Sequence, residues 1–497
     1  MPRPKKRAKI VAICLASLGV LLAVLVIGGG HYESWRATRD WLQCKADLEA
    51  RGEHLDLAYF VPPPVPDDKN LALSPLMTPL LEIITDPKTG ERNFGDPNAP
   101  LEQIVLQRPS QKAFSTSTPG NWQTGHFRSL EPWRSNPGSG SAAEDIVAAL
   151  QKYDPTLAQL RAEMQARPLC RFPLNYKAGV GMALPHLTVL KSIVYALAMR
   201  ASAQLALNRP DQAFDDVLLA YHLIDRMRDE PTAIDGLARI LMVAILQQPV
   251  WEGIASHRWS AEQLAVIEQE LRGWDFLAES NRSMRYERCV DNQTCDQFRN
   301  DPKTFARVSA GGQPSDVETI YKNALTRSWW TATIYRNEIS IDTIFQEQFL
   351  TIIDENARTV SVQRAHYTEG YLQAIRGAPY TVLVKMMLPV FTGFPQKYAI
   401  GQTYLDEAAI ACEIERYRLA HGALPVALDD LQMANLPRDV INGQPLHYRV
   451  IAPDNYLLYS VGWNETDDGG KVQVNDKGIV DNNTSQQGDW VWTLKPL

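Results

Sequence analysis

Residues 191–227 read KSIVYALAMRASAQLALNRPDQAFDDVLLAYHLIDRM, and their apolar side chains recur every three to four positions. That spacing is the period of an α-helix with one buried face. The turn LNRPDQ interrupts the pattern, and Pro210 suits the first turn of a helix because a proline has no N–H to lose there. The stretch therefore predicts two antiparallel helices. The periodic positions are Val194, Leu197, Ala201, Leu205, Ala213, Val217, Tyr221, Ile224 and Met227.

The helical period continues on both sides of this hairpin and predicts a helical array over residues 142–397. Ser260 followed by Gln263 is typical of a capping box that opens a further helix. The apolar run 378–394 is barely long enough to span a bilayer, and it contains Lys385, which is costly inside a membrane. We expect a buried core helix or an interfacial segment there, rather than a second span.

The packing residues of the hairpin resemble those of a tetratricopeptide repeat. The matching positions are Leu197, Ala201, Asn208, Ala213, Val217 and Ala220. The usual helix-ending proline comes late, at Pro231, so a generic helical hairpin is the alternative. The resemblance implies a tetratricopeptide-like array with a concave surface for a peptide or protein partner.

The first thirty residues predict a membrane anchor. Arg3, Lys5, Lys6, Arg7 and Lys9 precede an uncharged apolar run from residue 10 to residue 27, which is long enough to cross a bilayer. A cleavable signal peptide is the alternative, with Gly28–Gly30 as its only candidate exit. We favour a retained anchor. The basic residues then stay in the cytoplasm, and the bulk of the chain lies outside the inner membrane, in the periplasm.

The charge balance argues against nucleic acid as a partner. The whole chain carries a net charge of −7, so the part beyond the five basic residues carries about −12. Proteins that bind nucleic acid need a basic patch that neutralises phosphates. We expect instead an envelope protein or peptide as the partner, together with the membrane through the amino-terminal helix.

Residues 31–141 predict a helical stalk, a proline strap and an irregular segment. The strap contains Pro62, Pro63, Pro64 and Pro66, which hold a chain extended and cannot continue a helix. Residues 85–140 are rich in glycine, proline and small polar residues, yet they include Trp122, Phe127 and Trp133. Disordered segments contain few aromatics. We therefore expect this segment to be pinned to a folded body, a partly disordered linker being the alternative.

Residues 398–497 predict a small α+β module. A helix from about Tyr398 to His421 ends at Gly422, a natural stop. Alternating side chains then predict two antiparallel strands, joined by turn residues 453–455. The motifs RYRLAHGALPVALDDL, DVINGQPLHYRV, YLLYSVGWNETDDGG and GDWVW occur in this module.

These motifs resemble the globular heads of type II secretion pseudopilins. The chain is also similar to uncharacterised membrane-anchored bacterial proteins that carry such a head after a large helical region, including GEHLDLAYFVPPPVPDDKN, residues 52–70. The resemblance implies a long helix on an antiparallel sheet. About 370 residues separate anchor and head here, whereas a pseudopilin has them directly joined, so assembly into a fibre is not expected.

The resemblance also implies a calcium site in the loop after the strands, with Asp467, Asp468 and Asp489 as metal ligands. Calcium prefers such hard oxygen ligands. An EF-hand is not expected, because the twelfth position counted from Asn464 is Asn475, where a bidentate glutamate is needed, and a strand precedes the loop. The alternative for YSVGWNETDDGG, residues 459–470, is a solvated turn.

No sequence motif of a common hydrolase or nucleotide-binding site occurs in the chain. His186 is expected to be a core or capping residue rather than a catalytic base. Glu287 lies between Arg285 and Arg288 and predicts an exposed helical salt bridge, with a buried paired carboxylate as the alternative. Cys289 and Cys295 either pair or remain free thiols.

These observations favour a non-enzymatic, membrane-tethered interaction or scaffold protein outside the cytoplasm. One alternative is a structural or accessory component of a type II secretion or pilus-like system. A second is an envelope enzyme whose site is assembled from residues distant in sequence.

Overall fold

The computed structural model describes residues 4–85, 92–104, 121–133, 140–301, 304–305, 327–474 and 487–496. Over these ranges the chain is mainly helical, and a small antiparallel sheet lies near its carboxy terminus. This confirms the mainly α fold class with an apolar amino-terminal helix. The helices are α1 (Pro4–Ala50), α2 (Leu57–Phe60), α3 (Ala142–Gln151), α4 (Asp154–Ala166), α5 (His186–Ala206), α6 (Pro210–Asp225), α7 (Ala233–Ala255), α8 (Ala261–Arg272), α9 (Phe276–Asn300), α10 (Arg327–Ile344), α11 (Val362–Ala374), α12 (Val382–Met387) and α13 (Phe394–His421).

In the part of the chain that the structure describes, the strands form three small antiparallel sheets. Two of them have two strands each, and the third has the order β5-β6-β7. In the third sheet Tyr448 lies opposite Leu458, and Leu458 lies opposite Trp492. The strands are β1 (Ile83–Thr85), β2 (Arg92–Phe94), β3 (Ile353–Asp354), β4 (Thr359–Val360), β5 (His447–Ala452), β6 (Asn455–Ser460) and β7 (Trp490–Thr493).

The hairpin predicted from residues 191–227 is confirmed as α5 and α6. Pro210 is the first residue of α6, and Asn208 in the connection takes a φ of 57°, in the left-handed region. Ala201 and Ala213 are fully buried, so small side chains let the two helices approach closely. The capping box at Ser260 is also confirmed, because its hydroxyl and the Gln263 side chain satisfy each other's main-chain N–H groups.

Among the described residues, α1 and α7 are the two helices long and apolar enough to cross a membrane. Helix α7 is mostly buried and packs against α5, α6, α9 and α13, so it is the central core helix. The most apolar part of α1 has a mean hydropathy of 2.8, and the described residues leave it exposed. It is compatible with a single membrane span or a signal sequence.

The apolar run 378–394 does not form a long helix. It folds into short turns and the six-residue α12, which packs beside α10. Leu383, Val384 and Leu388 are buried, whereas Val382 and Val390 are exposed. The length of α12 excludes a helical span here.

The proline strap docks on the helical body. The Arg171 guanidinium donates to the Pro62 carbonyl, 2.9 Å away. Leu57, Phe60 and Val61 pack around the buried side chains of Tyr176, Tyr286 and Val290.

The irregular segment between the strap and α3 is pinned where the structure describes it. Trp122 and Trp133 are buried, and Trp122 packs edge-on against Tyr404 with ring centroids 4.9 Å apart. Phe127 is exposed, although its ring lies 5.1 Å from that of Trp251. Residues 86–91, 105–120 and 134–139 of the predicted segment lie outside the described residues.

Helix α13 joins the sheet to the array. It ends at Gly422, which takes a left-handed φ of 74° as a C-terminal cap. It contacts β6 and β7 on one side and α7, α8 and α9 on the other, so one hydrophobic core runs through both parts. All six residues of β6 are buried, because this strand is central in the sheet. A domain boundary at residue 397 stays a prediction.

Candidate functional site

A pocket of about 370 Å³ opens where the array meets the carboxy-terminal part of the chain. Four elements form it: the turn between α8 and α9, the tip of the β3–β4 hairpin, α13, and the loop 435–438. Its lining includes the guanidinium-bearing residues Arg272, Arg358 and Arg438 and the carboxylates Asp275 and Asp406. We refer to it below as the arginine pocket.

One wall of the arginine pocket is the sharp junction between two helices. Gly273 caps the end of α8, and Asp275 caps the start of α9 by accepting a hydrogen bond from the Ala278 N–H at 3.1 Å. Between them Trp274 is buried. The Gln402 side chain of α13 accepts from the Phe276 N–H at 2.9 Å, which ties the junction to α13.

Two residues of the opposite wall have left-handed backbone conformations. Arg358 takes a φ of 52° at the β3–β4 tip, and Asn435 takes a φ of 55°. At the tip, Asp354 accepts hydrogen bonds from the N–H groups of Asn356 and Ala357, which closes the turn. A left-handed conformation is costly for an arginine and mild for an asparagine.

The three arginines differ in how completely they are neutralised. Arg358 pairs with Asp275 at 2.5 Å. Arg272 pairs with Glu268 at 3.3 Å and also donates to the Ala434 carbonyl. Arg438 donates only to the Gly443 carbonyl at 3.2 Å, and within the described ranges it has no ion-pair partner. The pocket therefore has a positive excess inside a protein of net negative charge.

Asp406 lies at the inner side of the pocket. Burial raises the pKa of its carboxyl to about 7, although a hydrogen bond from Gln402 and the nearby Arg358 favour the charged form. The Gln402 amide donates to Asp406 Oδ1 at 3.0 Å. Near neutral pH this carboxyl is therefore divided between the acid and the carboxylate.

No protein-family model, no curated protein and no solved structure matches this chain.

The loop predicted to bind calcium does bring Asp489 back to residues 467–470. The Asp489 carboxylate accepts hydrogen bonds from the N–H groups of Asp468 at 3.2 Å and Gly470 at 2.6 Å. Asp467 accepts from the Tyr459 hydroxyl, and Asp468 accepts from the Asn464 amide. The protein itself thus supplies a hydrogen-bond donor to each of the three carboxylates.

The loop geometry leaves calcium binding a prediction. The hydrogen bond from the Gly469 N–H lowers the pKa of Asp467, whereas burial raises that of Asp489. In the described part of the chain, no group of three or more His, Cys, Asp or Glu side chains is placed to hold a metal ion. Asn475, the position that argues against an EF-hand, lies outside the described residues.

His186 is a core residue, as expected. It is fully buried, its ring stacks on Phe172 with centroids 4.0 Å apart, and its Nε2 lies 3.0 Å from Asp235 Oδ1. Asp235 in turn accepts a hydrogen bond from the hydroxyl of Thr232, the residue that caps α7. This histidine connects the start of α5 to the start of α7.

The expectation of an exposed salt bridge at Glu287 is wrong. Both neighbouring arginines point elsewhere, to Glu53. Glu287 instead accepts a hydrogen bond from the Ala233 N–H at 2.9 Å, at the first turn of α7. Burial raises the pKa of this carboxyl to about 7. Glu287 is partly buried, so the alternative of a buried paired carboxylate holds only in part, and its hydrogen-bond partner is a main-chain group.

Cys289 and Cys295 are both free. They lie on the same helix, α9, six residues apart. Six residues of α-helix rise about 9 Å, which is too far for a disulfide.

The arginine pocket could not be recognised from the sequence. Its residues come from positions 272–275, 357–358, 402–406 and 435–438, and no motif joins these four places. The signal that was available is local: Gly273 between two helical patterns, followed by Trp274 and the capping Asp275. That signal predicts a helix junction but not the residues facing it.

Proposed function

We propose that this protein is a membrane-tethered scaffold outside the cytoplasm that binds a protein or peptide partner. The observation that carries the proposal is the pairing of α1 with α10. Helix α1 runs unbroken through Gly28–Gly30 to Ala50, and beyond its apolar part it packs along the whole of α10. The membrane helix and the folded body thus share one rigid element.

The pairing begins at the end of the apolar run. The Trp329 indole N–H donates to the Val26 carbonyl at 3.0 Å. A Cβ atom on Gly30 would lie 2.8 Å from Trp329 Nε1, so only glycine lets the ring lie this close. Cleavage after Gly30 would remove the helix segment on which this ring packs. This supports a retained anchor over a cleaved signal peptide.

Ion pairs continue the pairing away from the membrane. Arg336 on α10 lies 2.8 Å from Asp40 and 3.7 Å from Glu33, both on α1. Just past the end of α1, Glu53 contacts the fully buried Arg288 at 2.6 Å. Successive contacts of this kind hold the body in one orientation above the bilayer, because a helix is stiff over this length.

The array supplies surface for a partner. The α5–α6 hairpin keeps the small packing residues that resemble a tetratricopeptide repeat, and the negative net charge disfavours nucleic acid. We infer that the partner is an envelope protein or peptide, and that basic residues before the span keep the amino terminus in the cytoplasm.

A second candidate is an accessory role in a type II secretion or pilus-like system. The observation that favours it is the packing of α13 beside the strands of the β5-β6-β7 sheet, which is the arrangement implied by the pseudopilin resemblance. Site-specific crosslinking from the exposed face of β5 to pseudopilin heads would support this role. Crosslinks to other envelope proteins only would count against it.

The tether is tested by the mass of the mature chain. The scaffold proposal requires that the chain purified from washed membranes retains residues 1–30 and that alkaline phosphatase is active when fused after residue 100 or after residue 397. A mature chain starting at residue 31 would refute the anchor. Full-length protein in detergent should then recover a specific partner from envelope extract, and repeated recovery of none would contradict the scaffold role.

A further inference from the structure

We propose that the arginine pocket binds the carboxylate side chains of an acidic peptide segment. The inference rests on the proposed function and deepens it by naming the chemistry of the partner. The segment would enter between the α8–α9 turn and the β3–β4 tip and place its carboxylates between Arg358 and Arg438.

Charge and donor geometry favour a carboxylate guest. Within the described residues the Arg438 side chain makes one hydrogen bond, to the Gly443 carbonyl, so its guanidinium has further N–H groups for a guest. Arg358 and its partner Asp275 are both nearly half exposed, so the Arg358 guanidinium is open to a second acceptor. A guanidinium presents paired N–H groups that match the two oxygens of a carboxylate.

The backbone at the pocket supports the assignment. Arg358 holds a left-handed conformation that costs about 1 kcal/mol or more for a residue with a long side chain. Asn435, on the neighbouring loop, has the same kind of conformation. The conformation is mild for an asparagine, so Arg358 is the residue that the chain keeps at the pocket despite a local cost.

Size and surroundings narrow the guest to a short segment. A cavity of about 370 Å³ holds a few side chains and is too small for a folded domain. The net charge of the chain is −7, so its overall field disfavours an acidic segment, whereas the unpaired Arg438 attracts such a segment locally. A segment of two or three glutamates is small enough for the cavity and carries the negative charge that the arginines attract.

Asp406 adds a pH dependence to the binding. The groups that act on it are Gln402 on its own helix, Arg272 and Asp275 from the α8–α9 turn and Arg358 from the hairpin, and Arg438 of the loop lines the same pocket. Its pKa is raised to about 7 by burial. Above that pH its negative charge repels an incoming carboxylate, and below it the acid form does not. Binding is therefore tighter at pH 6 than at pH 8.

The experiment uses the full chain in detergent and a fluorescent acetyl-Glu-Glu-Glu-amide peptide as the probe, with acetyl-Gln-Gln-Gln-amide as the matched neutral peptide. Binding is followed by anisotropy. The proposal expects saturable binding of the acidic peptide only, weakened about tenfold or more in Arg358→Gln and in Arg438→Gln. Arg364→Gln, which removes an exposed arginine on α11 away from the pocket, should bind as the wild type does.

Several outcomes overturn the proposal. They are equal binding of both peptides, an unchanged affinity in both pocket variants, an equal loss in Arg364→Gln, or displacement of the peptide by inorganic phosphate at the concentration of the peptide itself. The last result would make the pocket a general anion site. Equal melting temperatures of all variants exclude misfolding as the cause of a loss. A chain that retains its anchor but fails to bind the peptide refutes this inference alone, whereas a cleaved chain that binds it refutes the tether alone.

Discussion

The indole nitrogen of Trp329 lies 3.0 Å from the main-chain oxygen of Val26, one residue before the end of the apolar run. Trp329 belongs to the folded body, and Val26 belongs to the segment that is long enough to span a membrane. This hydrogen bond therefore places the first turn of α10 at the level where the apolar run ends. The proposed anchor would put this ring at the surface of the bilayer, where tryptophan is enriched because its ring is apolar and its N–H is polar.

We predict that Gly30→Leu weakens the pairing of α1 with α10. A side chain at this position meets the Trp329 ring, whose place is held by its hydrogen bond to Val26. Overpacking of this kind costs about 1–3 kcal/mol. The expected result is a lower melting temperature of the full chain in detergent.

Gly28→Leu is the matched control for this change. This substitution gives the same gain in helix propensity, yet a Cβ atom at Gly28 lies within 4 Å of no atom of the described residues. The melting temperature of Gly28→Leu should stay at or above that of the wild type. If Gly30→Leu has the same melting temperature as Gly28→Leu, Trp329 does not restrain α1.

A second prediction concerns the ion pair that joins the end of α1 to α9. Burial of Glu53 opposes its charge, but Arg288 and Arg285 outweigh burial and lower the pKa of its carboxyl. Glu53→Gln leaves the fully buried Arg288 without its nearest carboxylate, at a cost of about 2–3 kcal/mol because the bond to Gln346 remains. Chemical unfolding at pH 7 measures this loss.

The pH dependence of the Glu53 contribution has a definite sign. Its stabilisation is present above the ordinary glutamate pKa of about 4.3 and is lost as the pH falls through the lower folded pKa. The difference between wild type and Glu53→Gln should therefore shrink in acid. Glu49→Gln, which changes an exposed pair with Lys45, should have little effect at any pH. Equal losses in the two variants would show that the buried pair adds nothing.

Local patterns were sufficient for the helices of the array and insufficient for their long-range contacts. The period of residues 191–227, Pro210 and the capping Ser260 predicted elements that the structure contains, because each depends on neighbours within a turn or two. The arginine pocket depends on four distant places meeting, which no local pattern encodes. The carboxy-terminal strands were predicted, but the burial of both faces of β6 was not. Helix α13 packs on one face, and Gly470 and Val472 of the following loop cover Leu457 and its neighbours on the other.

Glu287 shows why the local charge pattern predicted the wrong contact. In sequence it lies between two arginines, which favours a surface salt bridge on a helix. In the fold, Glu53, which is distant in sequence, forms ion pairs with both arginines. The glutamate then faces the first turn of α7, where the Ala233 N–H, which has no partner within the helix, donates a hydrogen bond to its carboxylate.

We predict from this position that Glu287 makes the protein less stable as the pH rises. Its pKa is about 7 in the folded state, mainly because of burial, against an ordinary value of about 4.3. Between these values the folded state keeps a proton that the unfolded state has lost. The stabilisation from the neutral acid is thus complete below pH 4.3 and is lost as the pH rises through 7, by roughly 1–3 kcal/mol.

Glu287→Gln tests this pH dependence. The amide oxygen can still accept from the Ala233 N–H, but the side chain no longer titrates. Relative to the wild type, the variant should gain stability between pH 5 and pH 8, as measured by chemical unfolding at both values. Glu347→Gln, on an exposed surface, is the control. A difference between Glu287→Gln and wild type that is the same at both pH values would refute a raised pKa at this site.

The last prediction separates the two interpretations of the loop 467–470. Asp489 receives the N–H groups of Asp468 and Gly470, and Gly470 takes a left-handed φ of 79° against the side chain of Leu457. Asp489→Ala leaves those two donors without an acceptor, so it should lower the free energy of unfolding by about 1–3 kcal/mol even when no metal is present.

The calcium prediction requires a further result. Millimolar calcium must raise the melting temperature of the full wild-type chain. It must not raise the melting temperature of a variant in which Asp467, Asp468 and Asp489 are all changed to alanine. A loss of stability in Asp489→Ala with no response of the wild type to calcium establishes a hydrogen-bonded turn, because the carboxylate then acts on main-chain donors alone.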